Sequence, residues 1–263
     1  MNKSLHAWVR PPSKNFSNAL SEHPEVTSIN FQKAQQQHAA YCEALQTAGL
    51  TVEVLEPLDA FPDSVFIEDN AVILEGRAVL CSMKAVSRQG EVSFLAEALQ
   101  SRLPVLRLQA PVFIDGGDIL QTEDTLFVGQ SQRTSAEAIE ALQSLTSKQV
   151  VPVRVKQGLH LKTSVSTLGA NLLVINPSQI ETEPFREFEW IEVDEEEAYA
   201  ANCLTVGNYV ILPAGFPKLE QRIQQQGFKT LPVEMSEFQK ADGGVTCLSL
   251  LAHHPIPRTA HES

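Results

Sequence analysis

The chain has no apolar run approaching the roughly 20 residues that cross a bilayer. Its opening stretch, Met1 to Arg10, lacks the apolar core of a signal peptide. The expectation is a cytoplasmic protein with no membrane partner. Cysteine is sparse and scattered: Cys42, Cys81, Cys203 and Cys247 lie far apart with no Cys-x-x-Cys, a poor pattern for zinc or for disulfides. Free thiols are expected in a reducing compartment. Positive charge is scarce too, with 20 Lys and Arg against 32 Asp and Glu and a formal charge of −12. That balance argues against nucleic acid, which is gripped by a basic face. A small cationic substrate is compatible with it, although acidity more often serves solubility.

What the chain does have is apolar material: 43% of its 263 residues are hydrophobic, sufficient for a large core. We read residues 1–263 as a single domain built from a repeated unit. Two short β-rich runs joined by a turn are followed by a helical stretch and a further strand. Ala71–Leu74 and Arg77–Cys81 flank Glu75-Gly76; Ile119–Gln121 and Thr125–Val128 flank Thr122-Glu123-Asp124. Val165–Thr167 and Asn171–Ile175 flank Leu168-Gly169-Ala170, and Cys203–Val206 and Tyr209–Leu212 flank Gly207-Asn208. The turn markers Gly76, Glu123, Gly169 and Gly207 recur roughly every 40 residues. Val92, Leu95, Ala96 and Leu99 share a helical face, and Thr134-Ser135-Ala136-Glu137 has the form of a capping box. Val105–Leu108 and Val150–Val155 read as closing strands. The run Glu192, Asp194, Glu195, Glu196 and Glu197 reads as a solvated segment.

A fifth unit appears only when the two ends of the chain are joined. Val245–Leu251 and Ala7–Arg10 supply strands, Phe31, Ala34, His38, Tyr41, Leu45 and Ala48 mark a helix ending at Gly49, and Thr51–Leu55 closes the unit. Completing a unit from both termini is what a closed ring requires, since closure removes exposed sheet edges. The expected fold is an α/β protein, a five-bladed propeller of ββαβ modules with pseudo-fivefold symmetry. An open βαβ sheet contains no such recurring hairpins.

Closure of the ring has a chemical consequence. Each hairpin is preceded by polar residues at a comparable offset: Glu68-Asp69, Asp115, His160, Asn202, and Asp242 to Cys247. In a ring these converge on one central pocket. A cysteine in an apolar run is by default an inert core residue, and an isolated histidine is by default structural; convergence makes Cys247, His160 and Asp115 a nucleophile, base and orienter set. Asp115 could equally be a turn residue beside Gly116-Gly117 or a ligand for a cation. Asp63, Glu68 and Asp69 sit among Val65, Phe66 and Ile67, where a carboxylate needs a cation or several hydrogen bonds. A guanidinium offers both, with five donors and a permanent charge. Arg88 and Arg133 could hold a carboxylate at the other end of the same substrate, although an isolated arginine is by default a surface residue.

The quoted segments together carry a specific resemblance: Pro-Asp-Ser-Val-Phe-Ile-Glu-Asp (62–69), Asp-Gly-Gly-Asp-Ile-Leu (115–120), Phe-Val-Gly-Gln-Ser-Gln-Arg-Thr (127–134), Gly-Leu-His-Leu-Lys (158–162), Ala-Asn-Cys (201–203) and Asp-Gly-Gly-Val-Thr-Cys (242–247). Over nearly the whole chain the sequence resembles the dimethylarginine dimethylaminohydrolases of the guanidino-group modifying superfamily. The resemblance implies the same five-bladed fold, with Cys247 as nucleophile, His160 as general acid/base and Asp115 as third catalytic residue. It implies substrate binding by Asp63, Glu68, Asp69, Arg88 and Arg133, with Leu20 on a mobile lid and Ala241 contributing backbone. The implied partner is a small guanidino amino acid, hydrolysed to citrulline through a covalent thiouronium with no cofactor. Zinc held by Cys247 and His160 would inhibit. A homodimer is compatible with this reading and not required by it.

Arginine deiminase is the nearest rival, and it resembles a His-x-Asp pattern where this chain has His160-Leu161-Lys162. Methylation removes donors, so an added carboxylate would be left unpaired, and Lys162 favours the methylated substrate. Hydrolysis of another alkylguanidine is a related alternative. A non-catalytic binding module on the same ring, as in a ribosome-associated translation factor, is the alternative from a different class, and it needs no cysteine–histidine pair.

Overall fold

The computed structural model describes residues 5–169 and 171–252. Ala170 in the third hairpin turn, and the parts of the expected domain at 1–4 and 253–263, lie outside the described residues. The elements in chain order are β1 (His6–Val9), α1 (Phe31–Thr47), β2 (Thr51–Val54), β3 (Ala71–Leu74), β4 (Arg77–Leu80), α2 (Glu91–Leu99) and β5 (Val105–Arg107). There follow β6 (Ile119–Gln121), β7 (Thr125–Gln130), α3 (Glu137–Gln143), β8 (Gln149–Arg154), β9 (Val165–Thr167), β10 (Leu172–Ile175) and β11 (Glu189–Glu192). The chain continues through β12 (Leu204–Val206), β13 (Tyr209–Pro213), α4 (Pro217–Gln225), β14 (Lys229–Val233), the single turn α5 (Ser236–Gln239) and β15 (Ser249–Ala252).

The strands form five three-stranded sheets, ordered β15-β1-β2, β3-β4-β5, β6-β7-β8, β9-β10-β11 and β12-β13-β14. In every sheet an antiparallel hairpin-like pair is extended by a parallel third strand. The fold is the five-module α/β propeller. Its first blade joins the ends of the described chain, with His6 opposite Ala252 and Val9 opposite Ser249. The middle strands are continuous apolar runs, such as Ala78-Val79-Leu80 and Val210-Ile211-Leu212, buried on both faces. Glu75 and Gly76 both take positive φ, 46° and 79°, which is what a two-residue hairpin turn between Leu74 and Arg77 demands. No helix among the described residues is long and apolar enough to cross a membrane.

The helices cover the blades from outside. α1 begins at Asn30, whose side chain accepts the Lys33 N–H at 3.0 Å, and it gives way to Gly49 at φ 98°. Its inner face is Ala34, His38, Tyr41 and Leu45, as the spacing predicts. The apolar side chains collect into four clusters between neighbouring blades. The inner ends of the blades are therefore free to carry polar residues.

Several expectations are corrected. The fourth blade has no α-helix: between β10 and β11 lies only a short 3₁₀ turn, Glu183–Phe185. Pro177 and Pro184 disfavour a continuous helix there, and Phe185 is buried with its ring tilted against Phe127, centroids 4.6 Å apart. Thr134 and Ser135 do not cap α3, whose N-cap is Ala136 with no side-chain bond. Thr134 instead donates to Asp118, and Ser135 accepts the Phe113 N–H. The acidic run is not wholly solvated, because Glu197 is buried and accepts the Lys218 and Leu219 N–H groups at the start of α4. Cys247 lies not in a strand but in the 3₁₀ turn Thr246–Leu248 that precedes β15.

Candidate active site

The strand that begins each blade's sheet is preceded by a 3₁₀ turn: Ile67–Asn70 before β3, Gly116–Asp118 before β6, Leu161–Thr163 before β9, Glu195–Ala201 before β12 and Thr246–Leu248 before β15. These turns pack against one another, and glycine is what lets them. A Cβ on Gly116 would stand 2.0 Å from the Glu68 carbonyl oxygen, and one on Gly243 would stand 2.2 Å from the Phe66 ring. The two glycine pairs are thus contact points between blades. Asp242, beside the second pair, takes φ 56°.

Cys247, His160, Asp63, Asp69, Arg88, Arg133, Leu20 and Ala241 line one small cavity. Asp115 stands behind His160, fully buried, with its Oδ2 at 3.1 Å from the imidazole Nε2. Glu68 borders the wider cleft into which that cavity opens, together with Lys162, Asn202 and Cys247. Residues spread from 20 to 247 are thus brought to one place. Leu20 is 41% exposed and its N–H donates to Asp63 Oδ1 at 3.0 Å. Ser21 Oγ donates to Asp242 Oδ2 at 2.7 Å, so this segment is tied down on both sides of the opening.

The electrostatics set the protonation of the pair. Burial alone would lower the His160 pKa, but Asp69, the hydrogen bond to Asp115 and the charge of Asp118 outweigh it and raise it to about 9. Burial pushes the Cys247 thiol up to about 12, helped by Glu68 and Asp69 and opposed by the Gly244 N–H, 3.3 Å from Sγ, and by Lys162. At neutral pH the resting pair is thiol and imidazolium. Asp63 is raised by burial, against the pull of Arg88 and the Leu20 N–H. Glu68 is likewise raised by burial, against Lys162 at 2.5 Å and Thr246 at 2.7 Å. Asp69 differs: burial would raise it, but His160 and Arg88 prevail and hold it below the ordinary carboxylate value.

The two arginines are unequal. Arg88 is buried and nearly saturated: Nε and Nη2 meet Glu91, Nη1 meets Asp69 Oδ2 at 2.7 Å, and Nη2 also reaches the Phe66 carbonyl at 3.1 Å. Its guanidinium is held high by Glu91 and Asp69 in spite of burial. Arg133 is freer, with Nη1 3.6 Å from Asp115 and no hydrogen-bond partner for that nitrogen among the described residues. Asp69, Asp115 and His160 each offer a ligand atom within 4.8 Å of the others. A cation there would compete with Arg88 and Arg133, and Cys247 is not part of that set. All four cysteines are unpaired.

Three groups around the site had no role assigned to them from the sequence, Asn202 among them although it was named with the converging residues. Glu91 anchors Arg88, Asn202 bonds both the Lys162 carbonyl and Thr246, and Asp118 bonds the His160 turn. Asp118 stands in the quoted Asp-Gly-Gly-Asp segment, Asn202 at the hairpin offset and Glu91 three residues after Arg88, the spacing of a local ion pair; these were the available signals.

A family model described as "N,N dimethylarginine dimethylhydrolase, eukaryotic" matches residues 12–252. The N(G),N(G)-dimethylarginine dimethylaminohydrolase of Pseudomonas aeruginosa is 36% identical over 93% of this chain and 98% of its own length. A solved structure of DDAH from that organism, a cysteine-to-serine mutant complexed with citrulline, superposes with a TM-score of 0.88 at 34% identity, covering 94% of this chain and 98% of that one. The N-terminal domain of ArgZ, a cyanobacterial arginine dihydrolase bound to product, matches with a TM-score of 0.87 over 96% of this chain and 99% of that one. At 22% identity that likeness speaks to the fold alone.

Proposed function

The chain belongs to the dimethylarginine dimethylaminohydrolase family, and from that premise we propose that it hydrolyses asymmetric dimethylarginine and monomethylarginine to citrulline and the corresponding methylated amine. The observation that carries this reading is the cavity shared by Cys247, His160, Asp63 and Asp69, with Arg133 on the same wall. A cationic guanidinium fits against the carboxylates, and Arg133 offers donors to the carboxylate at the far end of an arginine derivative.

Binding itself prepares the nucleophile. The substrate's positive charge offsets Glu68 and Asp69, two of the groups that raise the Cys247 thiol, so the thiol gives its proton to solvent water in the cleft once the cation is seated. The thiolate sulfur attacks the guanidinium carbon and forms a C–S bond. His160, already protonated and oriented by Asp115, gives its proton to the methylated nitrogen as the C–N bond breaks, and the amine departs. The neutral imidazole then takes a proton from water, whose oxygen attacks the thiouronium carbon. The C–S bond breaks as the new hydroxyl gives its proton to solvent and becomes the carbonyl; the thiolate returns and citrulline is released.

Arginine itself is the second reading, since the same chemistry would release ammonia. Lys162, paired with Glu68 at 2.5 Å, disfavours it by occupying a carboxylate that the extra N–H groups of unmethylated arginine would otherwise meet. The test is citrulline formation from asymmetric dimethylarginine, monomethylarginine and arginine, with Cys247→Ser as control. Turnover of arginine in preference to both methylated forms would overturn the proposal.

A further inference from the structure

Asp118 is fully buried and takes no part in the chemistry above. It ends the turn that carries Asp115, yet its carboxylate points at two other segments. Oδ1 accepts the Leu161 N–H at 2.9 Å, the peptide immediately after His160. Oδ2 accepts the Ser131 hydroxyl at 2.5 Å and the Thr134 hydroxyl at 2.7 Å, on either side of Arg133. Ser131 Oγ in turn accepts the Arg133 N–H at 3.0 Å. A Cβ on Gly129 would stand 2.5 Å from Asp118 Oδ1 and 2.7 Å from the Leu161 Cβ, so the three segments close on a position only glycine fits.

On the reading given under Proposed function, we propose that Asp118 is a positioning residue that sets the general acid/base and the substrate-carboxylate clamp together, through one buried acceptor. Three donors from two segments converge on a group that has no donor of its own, and a charged acceptor makes each of those bonds stronger than a neutral one would. The carboxylate also contributes to the field at His160. The other charged and titratable groups around that imidazole are Asp69 and Glu68 from the turn before β3, Asp115 beside Asp118, and Arg133 from the loop after β7. Lys162 on its own turn, Cys247 from the turn before β15, Arg88 behind Asp69, and Asp63 and Asp242 on the cavity lining complete them. Loss of the Asp118 charge leaves Asp69 and Asp115 opposing the arginines and the lysine, and the imidazolium is held less tightly.

The experiment pairs Asp118→Asn, which keeps the shape and removes the charge, with Ser131→Ala, which leaves the charge in place and removes the hydroxyl that joins Asp118 to the Arg133 backbone N–H. In Asp118→Asn the NMR titration midpoint of His160 in the unliganded protein falls by about half a pH unit or more. KM for asymmetric dimethylarginine rises about fivefold or more. In Ser131→Ala, KM rises and the His160 midpoint stays where it was. A merely structural Asp118 would lower the melting temperature of Asp118→Asn and leave both midpoint and KM unchanged, which overturns the proposal. If Asp118→Asn does not fold, Ser131→Ala combined with Thr134→Val decides: an unchanged KM overturns it and a raised KM supports it. The titration needs no substrate, so it remains decisive if the protein turns over no methylated arginine, an outcome that would sink the substrate reading instead.

Discussion

The Lys162 ammonium stands 2.5 Å from the Glu68 carboxylate on the wall of the cleft that Cys247 also borders. The pair removes one negative charge from the surroundings of the substrate. Lys162→Met frees Glu68 to meet a guanidinium donor, which arginine has and its dimethylated form lacks. The ratio of kcat/KM for arginine to that for asymmetric dimethylarginine is expected to rise about tenfold, measured as citrulline released from each. A ratio unchanged in the variant would separate Lys162 from specificity.

Cys247 should discriminate between alkylating agents by charge. With the thiol pushed up to about 12 by burial and by Glu68 and Asp69, neutral iodoacetamide inactivates slowly at pH 7 and faster as pH rises. Chloroacetamidine, a cation, supplies the charge that lowers the thiol pKa, and it is expected to inactivate at least about a hundredfold faster than chloroacetamide at pH 7. Equal rates would mean that the thiolate exists before any cation arrives.

Stability should fall with rising pH through a window set by His160. An unfolded histidine titrates near 6.5 and this one near 9, so the folded state binds the proton more tightly. The corresponding stabilisation is fully present below pH 6.5 and is lost as pH climbs to about 9, a change on the order of 3 kcal/mol. Urea unfolding at pH 6 and pH 9 measures it. His160→Gln is expected to remove most of the difference between the two.

Gly116→Ala tests the packing of the inner turns. The added methyl would lie 2.0 Å from a backbone carbonyl oxygen of the neighbouring blade, which cannot swing aside as a flexible side chain would. A destabilisation of about 3 kcal/mol is expected, together with loss of turnover, because Asp115 and Glu68 flank the contact. A variant with wild-type melting temperature would refute that account.

The hairpins were legible because their turns are local: Glu75-Gly76 and Gly207 declare themselves whatever surrounds them, and both show positive φ. The candidate site was legible for a related reason, since a polar residue just before each hairpin needs only closure of the ring to meet the others, and the resemblance supplied the roles. In the fourth blade, which lacks the expected helix, Phe185 packs on Phe127, a partner far away in sequence. Thr134 has the form of a cap but gives its hydroxyl to Asp118, and Glu197, in a run that looks solvated, caps another element. For Arg88, Glu91 stands at the i,i+3 spacing of a local ion pair, whereas Asp69 lies 19 residues away. Phe127, Asp118, the start of α4 and Asp69 all belong to segments that spacing along the chain does not connect.

The first blade pairs β1 with β15, and Cys247 sits in the turn just ahead of β15. A ribosome making this chain releases β1 long before its partner strand, so until β15 emerges that edge of β1 lacks its antiparallel neighbour. Cys247 is added in the same stretch. The proposed site is therefore incomplete until the ring can shut.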